Sequence, residues 1–219
     1  MISLVKKNSA FFIPYFIFLL IGGAALILGS KTGIHLYINK YHYSSADIFF
    51  KYWTDIGLGW LIIPVVAVLC FTKLRYVIIA VICFIVSFLI NDTIKKLVDS
   101  PRPSEVFSEL HQSIYTVPGV EMYGWNSFPS GHTATAFCLL SLLALITTKN
   151  YLKFTLFVMA LLVAYSRMYL SEHFLIDVYV ASIIGVGTTL IFYYVGMKAS
   201  WLKKNPVMDE PLIKTSKRK

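Results

Sequence analysis

Charge is scarce in this chain. Asp, Glu, Lys and Arg make up 14% of its 219 residues, where a soluble domain carries about a quarter. Acid is the scarcer sign, with 11 Asp and Glu against 20 Lys and Arg, so the formal charge is +9. Cysteine is nearly absent: Cys70, Cys83 and Cys138 each lie in an apolar run. They show no C-x-x-C metal spacing, and nothing suggests a disulfide framework, so core packing is their expected role. Internal repeats and low-complexity tracts are missing as well. These shortages argue against an ordinary water-soluble globule and against a metal- or disulfide-built scaffold.

What the chain has instead is hydrophobic length. Some 57% of its residues are hydrophobic, the mean hydropathy is +0.69, and the apolar residues fall in long runs. Residues 1–219 therefore read as a single polytopic membrane domain. A spanning helix needs about 20 mostly apolar residues, fewer where protein holds one end. Six candidates meet this: 10–29, 57–71, 76–94, 132–147, 151–169 and 174–196. Lys6 and Lys7 precede the first, as in a signal peptide, but its run is longer than an h-region and lacks an A-x-A-like exit. It reads as an anchor that stays.

Six spans put both termini on one side. With the N-terminus, the Lys73–Arg75 link, the Lys149–Lys153 link and the basic tail 198–219 inside, that side holds 13 of the 20 Lys and Arg. The positive-inside rule then places the termini in the cytoplasm. This distribution also accounts for the basic charge without nucleic acid, since the cations flank spans or sit in the tail, where anionic headgroups attract them. Outside lie 30–56, the long loop 99–129 and the turn around Ser171. Within the first, residues 46–53 form a short amphipathic stretch with aromatics at helical spacing, expected either in the interface or packed over the bundle mouth. The long loop is punctuated by Pro101, Pro103, Pro118, Gly119 and Gly124, so it is not one helix. The expected fold is an all-α, six-transmembrane helix bundle with an interfacial helical segment and a long outer loop.

Three clusters sit at the outer ends of spans three to six. The first is Lys95, six residues, then Arg102-Pro103. The second is Pro129-Ser130-Gly131-His132. The third is Ser166-Arg167, five residues, His173, three residues, then Asp177. In order and spacing they resemble the signature of the type 2 phosphatidic acid phosphatase superfamily, K-x6-R-P, P-S-G-H, S-R-x5-H-x3-D, at every position. The resemblance covers about 95–177, and the six-helix layout extends it to most of the chain. It implies a catalytic region of about 91–180.

The residues support that chemistry on their own terms. Lys95, Arg102 and Arg167 bring three positive charges to one membrane face, where charge is costly and marks function or an interfacial anchor. Arginine forks match phosphate oxygens, and lysine adds a compact charge. Asp177 is the one carboxylate placed in the constellation, so the pocket reads as cationic and unmatched, suited to a dianion. Ser130 and Gly131 open the fourth span, where free N–H groups and the helix dipole favour an anion. His173 and Asp177, four apart, share a helix face; a carboxylate on one ring nitrogen leaves the other free to attack. His132, at the rim, is placed to protonate a leaving oxygen. His35, His42 and His111 read as loop residues without such partners. Asp92, Glu105, Glu109, Glu121 and Glu172 carry no assigned chemistry.

The resemblance implies that His173 attacks phosphorus to form a phosphohistidine, that Asp177 steadies the imidazolium, and that His132 acts as acid and then base. Lys95, Arg102, Ser130, Gly131 and Arg167 would hold the phosphoryl oxygens. No metal or cofactor is expected, and no obligate protein partner is evident. The substrate would be a membrane lipid phosphate handled on the outer face of a bacterial inner membrane. Isoprenoid diphosphate or lipid A phosphate is favoured over phosphatidylglycerophosphate and phosphatidic acid. Two rivals stand beside the hydrolase: a lipid-to-lipid phosphotransferase, and a non-catalytic anion transporter. The transporter explains six spans and buried charge but not the pairing of His173 with Asp177 or a second histidine facing it.

Overall fold

The helix at the centre of the bundle is shorter than the four long helices around it, and its composition suits it to the interior. In a computed structural model describing residues 1–200 and 204–213, Gly131–Ile146 (GHTATAFCLLSLLALI) buries eleven of its sixteen residues. Apolar on all sides, it is the kind of helix that sits inside a bundle. In chain order the α-helices are α1 Ile2–Lys7, α2 Ser9–Leu28, α3 Lys31–Asn39, α4 Ser44–Trp53, α5 Ile62–Leu69, α6 Leu74–Val98, α7 Pro103–Glu109, α8 Gly131–Ile146, α9 Asn150–Tyr169 and α10 Leu175–Lys198. Helices α6, α9 and α10 surround α8, and α2 closes the outside. The structure is all-helical, with no strand among the described residues.

Small residues let the central backbones approach, as they do in membrane bundles. A Cβ at Gly185 of α10 would lie 2.5 Å from the Ala134 carbonyl and 2.8 Å from the Cys138 nitrogen, so only glycine fits there. Thr189 Oγ1, one turn further on, donates to the Cys138 carbonyl at 2.8 Å. Cys83 and Cys138 are fully buried, and Cys70 is partly so.

Among the described residues four helices, α2, α6, α9 and α10, are long and apolar enough to cross a membrane. The expected second span is different. Sequence 57–71 reads as one apolar run, but Leu58 is extended between the 3-10 turns Thr54–Gly57 and Gly59–Leu61. The path Ser44–Gly57 and Gly59–Leu69 bends by 61° at that break and makes a fifth span only if both limbs are counted together. Helix α8, at about 24 Å, is shorter than a bilayer core.

The outer segment after α2 is helical rather than looped. Phe50 of α4 packs its ring against Tyr169 and Tyr165 of α9, with centroids 4.7 and 5.2 Å away, while Ile48, Phe49 and Tyr52 on the same helix are exposed. The amphipathic stretch thus packs one face over the bundle mouth and leaves apolar side chains exposed on the other. At the opposite end, residues 205–213 fold back, with Leu74 N donating to the Glu210 carbonyl and Ile213 N to that of Cys70, each at 3.0 Å. Asp209 there pairs with Lys73 at 2.7 Å and with Arg75. Of the expected basic tail 198–219, residues 201–203 and 214–219 lie outside the described residues.

Candidate active site

The ends of four helices and one loop meet at the mouth of the bundle. Lys95 lies in the last turn of α6, and its Nζ donates to the Asn126 carbonyl at 2.7 Å. Arg102 is set by the outer loop folding back on itself. Arg102 N bonds the Gly124 carbonyl at 2.8 Å, Ser127 N that of Ser100 at 2.9 Å, and Ser104 Oγ that of Tyr123 at 2.9 Å. Pro103 then opens α7, a position where its missing N–H costs nothing. Arg102 Nε donates to the Trp125 carbonyl at 3.0 Å, and its guanidinium lies 5.2 Å from the Tyr123 ring centre. Arg167, in the last turn of α9, is buried, with Nη1 donating to Thr54 Oγ1 at 2.8 Å.

The two arginines meet on Glu172, which corrects the expectation of an unmatched cationic pocket. Arg102 Nη1 donates to Glu172 Oε2, and Arg167 Nη2 lies 3.3 Å from the same oxygen. Glu172 is 2% exposed, and its Oε1 has no hydrogen-bond partner. Burial pushes its carboxyl above the ordinary range, against the pull of Arg167 and Arg102. In sequence, a lone acid between Ser171 and His173 gives no sign of which way it points. Lys96, by contrast, pairs with Asp92 one turn back at 2.7 Å.

His173 and Asp177 are brought together at the start of α10. Nδ1 of His173 lies 3.4 Å from Asp177 Oδ2, which leaves Nε2 as the nitrogen turned from the carboxylate. That same oxygen accepts from Phe174 N at 2.9 Å and from Ser127 Oγ at 2.5 Å. Ser127, at the end of the outer loop, was not among the expected site residues; only its approach to P-S-G-H hinted at it. Burial drives the His173 imidazole down to about 3, opposed by Asp177 and reinforced by Arg167.

His132 is the second residue of α8, half-buried and within electrostatic reach of Arg167, His173, Arg102 and Lys95. Gly57 fixes its place, since a Cβ there would lie 2.7 Å from His132 Cβ. Ser130 caps α8, its Oγ accepting from Thr133 N at 3.4 Å and Thr133 Oγ1 at 3.0 Å. One detail of the expected anion site changes. Ser130 N–H donates to the Asp177 carbonyl at 3.2 Å, so it is spent on joining α8 to α10. The open N–H groups of the helix start are those of Gly131 and His132.

Two histidines read as unpartnered loop residues are partnered. His35 is buried in α3, with Nε2 3.2 Å from Ser171 Oγ, and burial pushes it down to about 4. His42 Nδ1 lies 3.1 Å from Asp47 Oδ1, a carboxylate that also accepts from Tyr169 at 2.6 Å and Tyr115 at 2.8 Å. His111 is exposed in a turn at φ 52. A cleft of about 360 Å³ runs from Lys95, Gly131 and His132 past Asn91 to Leu58, Phe84 and Phe88. A polar mouth thereby continues into an apolar flank of the bundle.

Residues 75–201 match the PAP2 superfamily. A lipid A 4'-phosphatase of Bacteroides thetaiotaomicron is 31% identical over 108 residues, 49% of this chain and 48% of that one. The chain thus spans about half the length of the curated relative it matches. The crystal structure of Aquifex aeolicus LpxE superposes with a TM-score of 0.66 at 26% identity, covering 73% of this chain and 92% of that one. The first transmembrane PAP2-type phosphatidylglycerolphosphate phosphatase from Bacillus subtilis shares the fold at a TM-score of 0.63 and 21% identity, over 90% and 98% of the two chains.

Proposed function

Because this chain belongs to the PAP2 superfamily, we propose that it is an integral-membrane lipid phosphatase working through a phosphohistidine on His173. The observation that carries the reading is convergence: Arg102 and Arg167 meet on one buried carboxylate beside His173, whose Nδ1 faces Asp177. Lys95, Arg102, Arg167 and the N–H groups of Gly131 and His132 hold the phosphoryl oxygens and offset charge as the bond breaks. His173 Nε2 forms the new bond to phosphorus while the ester or anhydride P–O bond breaks, and its Nδ1–H is held by Asp177. His132 gives the leaving oxygen its proton. It then takes one from the water that attacks the phosphohistidine, releasing inorganic phosphate and restoring both histidines. Fixed cations serve where a divalent ion otherwise would. Among the described residues no three His, Cys, Asp or Glu side chains gather as metal ligands.

The substrate is a lipid phosphate, drawn from the bilayer through the cleft that joins Lys95 and His132 to Phe84 and Phe88. Of the two favoured classes, a phosphorylated lipid A gains support over an isoprenoid diphosphate from the likeness to a lipid A 4'-phosphatase. Residues 1–219 act as one membrane domain in the inner membrane, with the site on the extracytoplasmic face. The test is phosphate release by detergent-solubilised protein from a panel of lipid phosphates. Turnover is expected to persist in excess chelator and to fall by about 10³-fold or more for His173→Ala and about 10²–10⁴-fold for His132→Ala. Loss of activity in chelator would overturn the metal-free route, and full activity of His173→Ala would overturn the nucleophile.

A further inference from the structure

We propose that Glu172 occupies the arginine pair in the place of the phosphoryl group, and that it takes up a proton from solvent when the phosphate displaces it. The inference rests on the phosphatase reading and deepens it by assigning a role to a carboxylate that the catalytic sequence leaves unused. Arg102 and Arg167 both point donors at Glu172 Oε2, and a carboxylate presents to a guanidinium the same pair of oxygens that a phosphate does. With this partner the site is closed on itself. Arg102 is shared between Glu172 and the Trp125 carbonyl, Arg167 between Glu172 and Thr54, and Lys95 is bound to the Asn126 carbonyl.

Glu172 Oε1 is the unusual atom. It is buried with no donor, while Arg167 Nε is buried with no acceptor, and an unpaired buried polar atom is costly. A phosphate that draws the two guanidinium groups toward itself leaves the carboxylate next to a dianion in a buried setting. Both burial and repulsion then favour the neutral acid. Once protonated, the carboxyl has an O–H to give to a phosphate oxygen, and the orphaned atom gains a partner. The surrounding charges are consistent with this. Arg102 before α7 and Arg167 from α9 face the carboxyl directly, Glu121 and Tyr123 from the outer loop act on it electrostatically, and His173 is next in the chain. Lys95 of α6 and His132 of α8 face the same two arginines. Burial already holds Glu172 above the ordinary carboxylate range.

The experiment is titration calorimetry of the detergent-solubilised full chain with tungstate, in buffers of different ionisation enthalpy, for wild type and Glu172→Gln. Wild type is expected to take up more protons per bound anion than Glu172→Gln. The variant is expected to bind tungstate about tenfold more tightly at neutral pH, because no carboxylate competes. Equal proton uptake by the two proteins would overturn the proposal, leaving Glu172 as a clamp on the arginines. Glu172→Ala, read the same way, decides the matter if the glutamine variant does not fold. The readout needs no turnover. Anion binding with unchanged proton uptake sinks only the role of Glu172, whereas no anion binding at all sinks the phosphatase reading with it.

Discussion

A sealed imidazole resists taking a proton, and His173 is 2% exposed. Its folded-state value of about 3, against an ordinary 6.5, comes first from burial, with Asp177 opposing and Arg167 adding. The neutral ring is the form with a lone pair to offer, so His173 is in the state that the proposed nucleophile requires across the physiological range. The same shift has a consequence for stability. Between about 3 and 6.5 the unfolded chain holds a proton on this histidine and the folded chain does not. Stability is therefore full above 6.5, falls as pH is lowered through that window, and levels off below it. His35, pushed down to about 4 by burial, adds in the same direction over a narrower range. Thermal unfolding of the solubilised protein is expected to shift to lower temperature from pH 7 to pH 4. The shift should be shallower in His173→Asn, which removes one of the titrating groups. An equal slope in both proteins would mean that His173 is not held neutral by its surroundings.

Helix ends carry the site, so the way two elements touch decides whether its residues are in register. The turn Thr54–Gly57 lies against the start of α8 and the side of α9. A Cβ on Gly57 would come within 2.7 Å of His132 Cβ, 2.8 Å of the His132 carbonyl and 2.8 Å of Val163 Cγ1. Two of those neighbours belong to the first turn of α8, which cannot yield without moving the histidine. Gly57→Ala is expected to lower turnover by about 10²-fold, the cost of an ångström of misplacement, while overpacking costs stability about 1–3 kcal/mol. Gly59→Ala is the control, because its Cβ would meet only Phe84 at an ordinary 3.7 Å. Turnover and thermal midpoint measured on both variants check this; equal turnover for the two would remove the packing argument. This contact was not legible in the sequence. Ser130-Gly131-His132 announced a capped helix start, and the cap is there with Ser130 accepting from Thr133. Gly57, however, read as the start of a continuous apolar span, because hydropathy does not register the break at Leu58. Thr54, which holds Arg167, lies in the outer segment 30–56, where nothing in the sequence marked it.

At the scale of the whole molecule, the alternating direction of successive helices explains why so much of the site was readable. Lys95 ends α6, His132 begins α8, Arg167 ends α9 and Asp177 begins α10, so antiparallel packing must bring them to one mouth. What alternation does not specify is which side chains meet there, and so the Glu172 bridge and the Ser127 hydrogen bond to Asp177 emerged only from the folded chain. The same alternation gathers Lys73, Arg75, Lys149 and Lys153 at the other end, where Lys153 Nζ reaches the Lys7 carbonyl at 3.2 Å and Asp209 offsets Lys73 and Arg75. A cation excess at one end orients a membrane protein with that end in the cytoplasm. The bundle mouth with its histidines is then expected outside. In a background of Cys70→Ser, Cys83→Ala and Cys138→Ala, Gln112→Cys and Thr148→Cys place single exposed thiols at the two ends. A membrane-impermeant maleimide on intact cells is expected to label the cysteine at 112 and to reach the one at 148 only after lysis. Labelling in the opposite order would put the mouth in the cytoplasm and require the lipid phosphate to arrive from the inner leaflet.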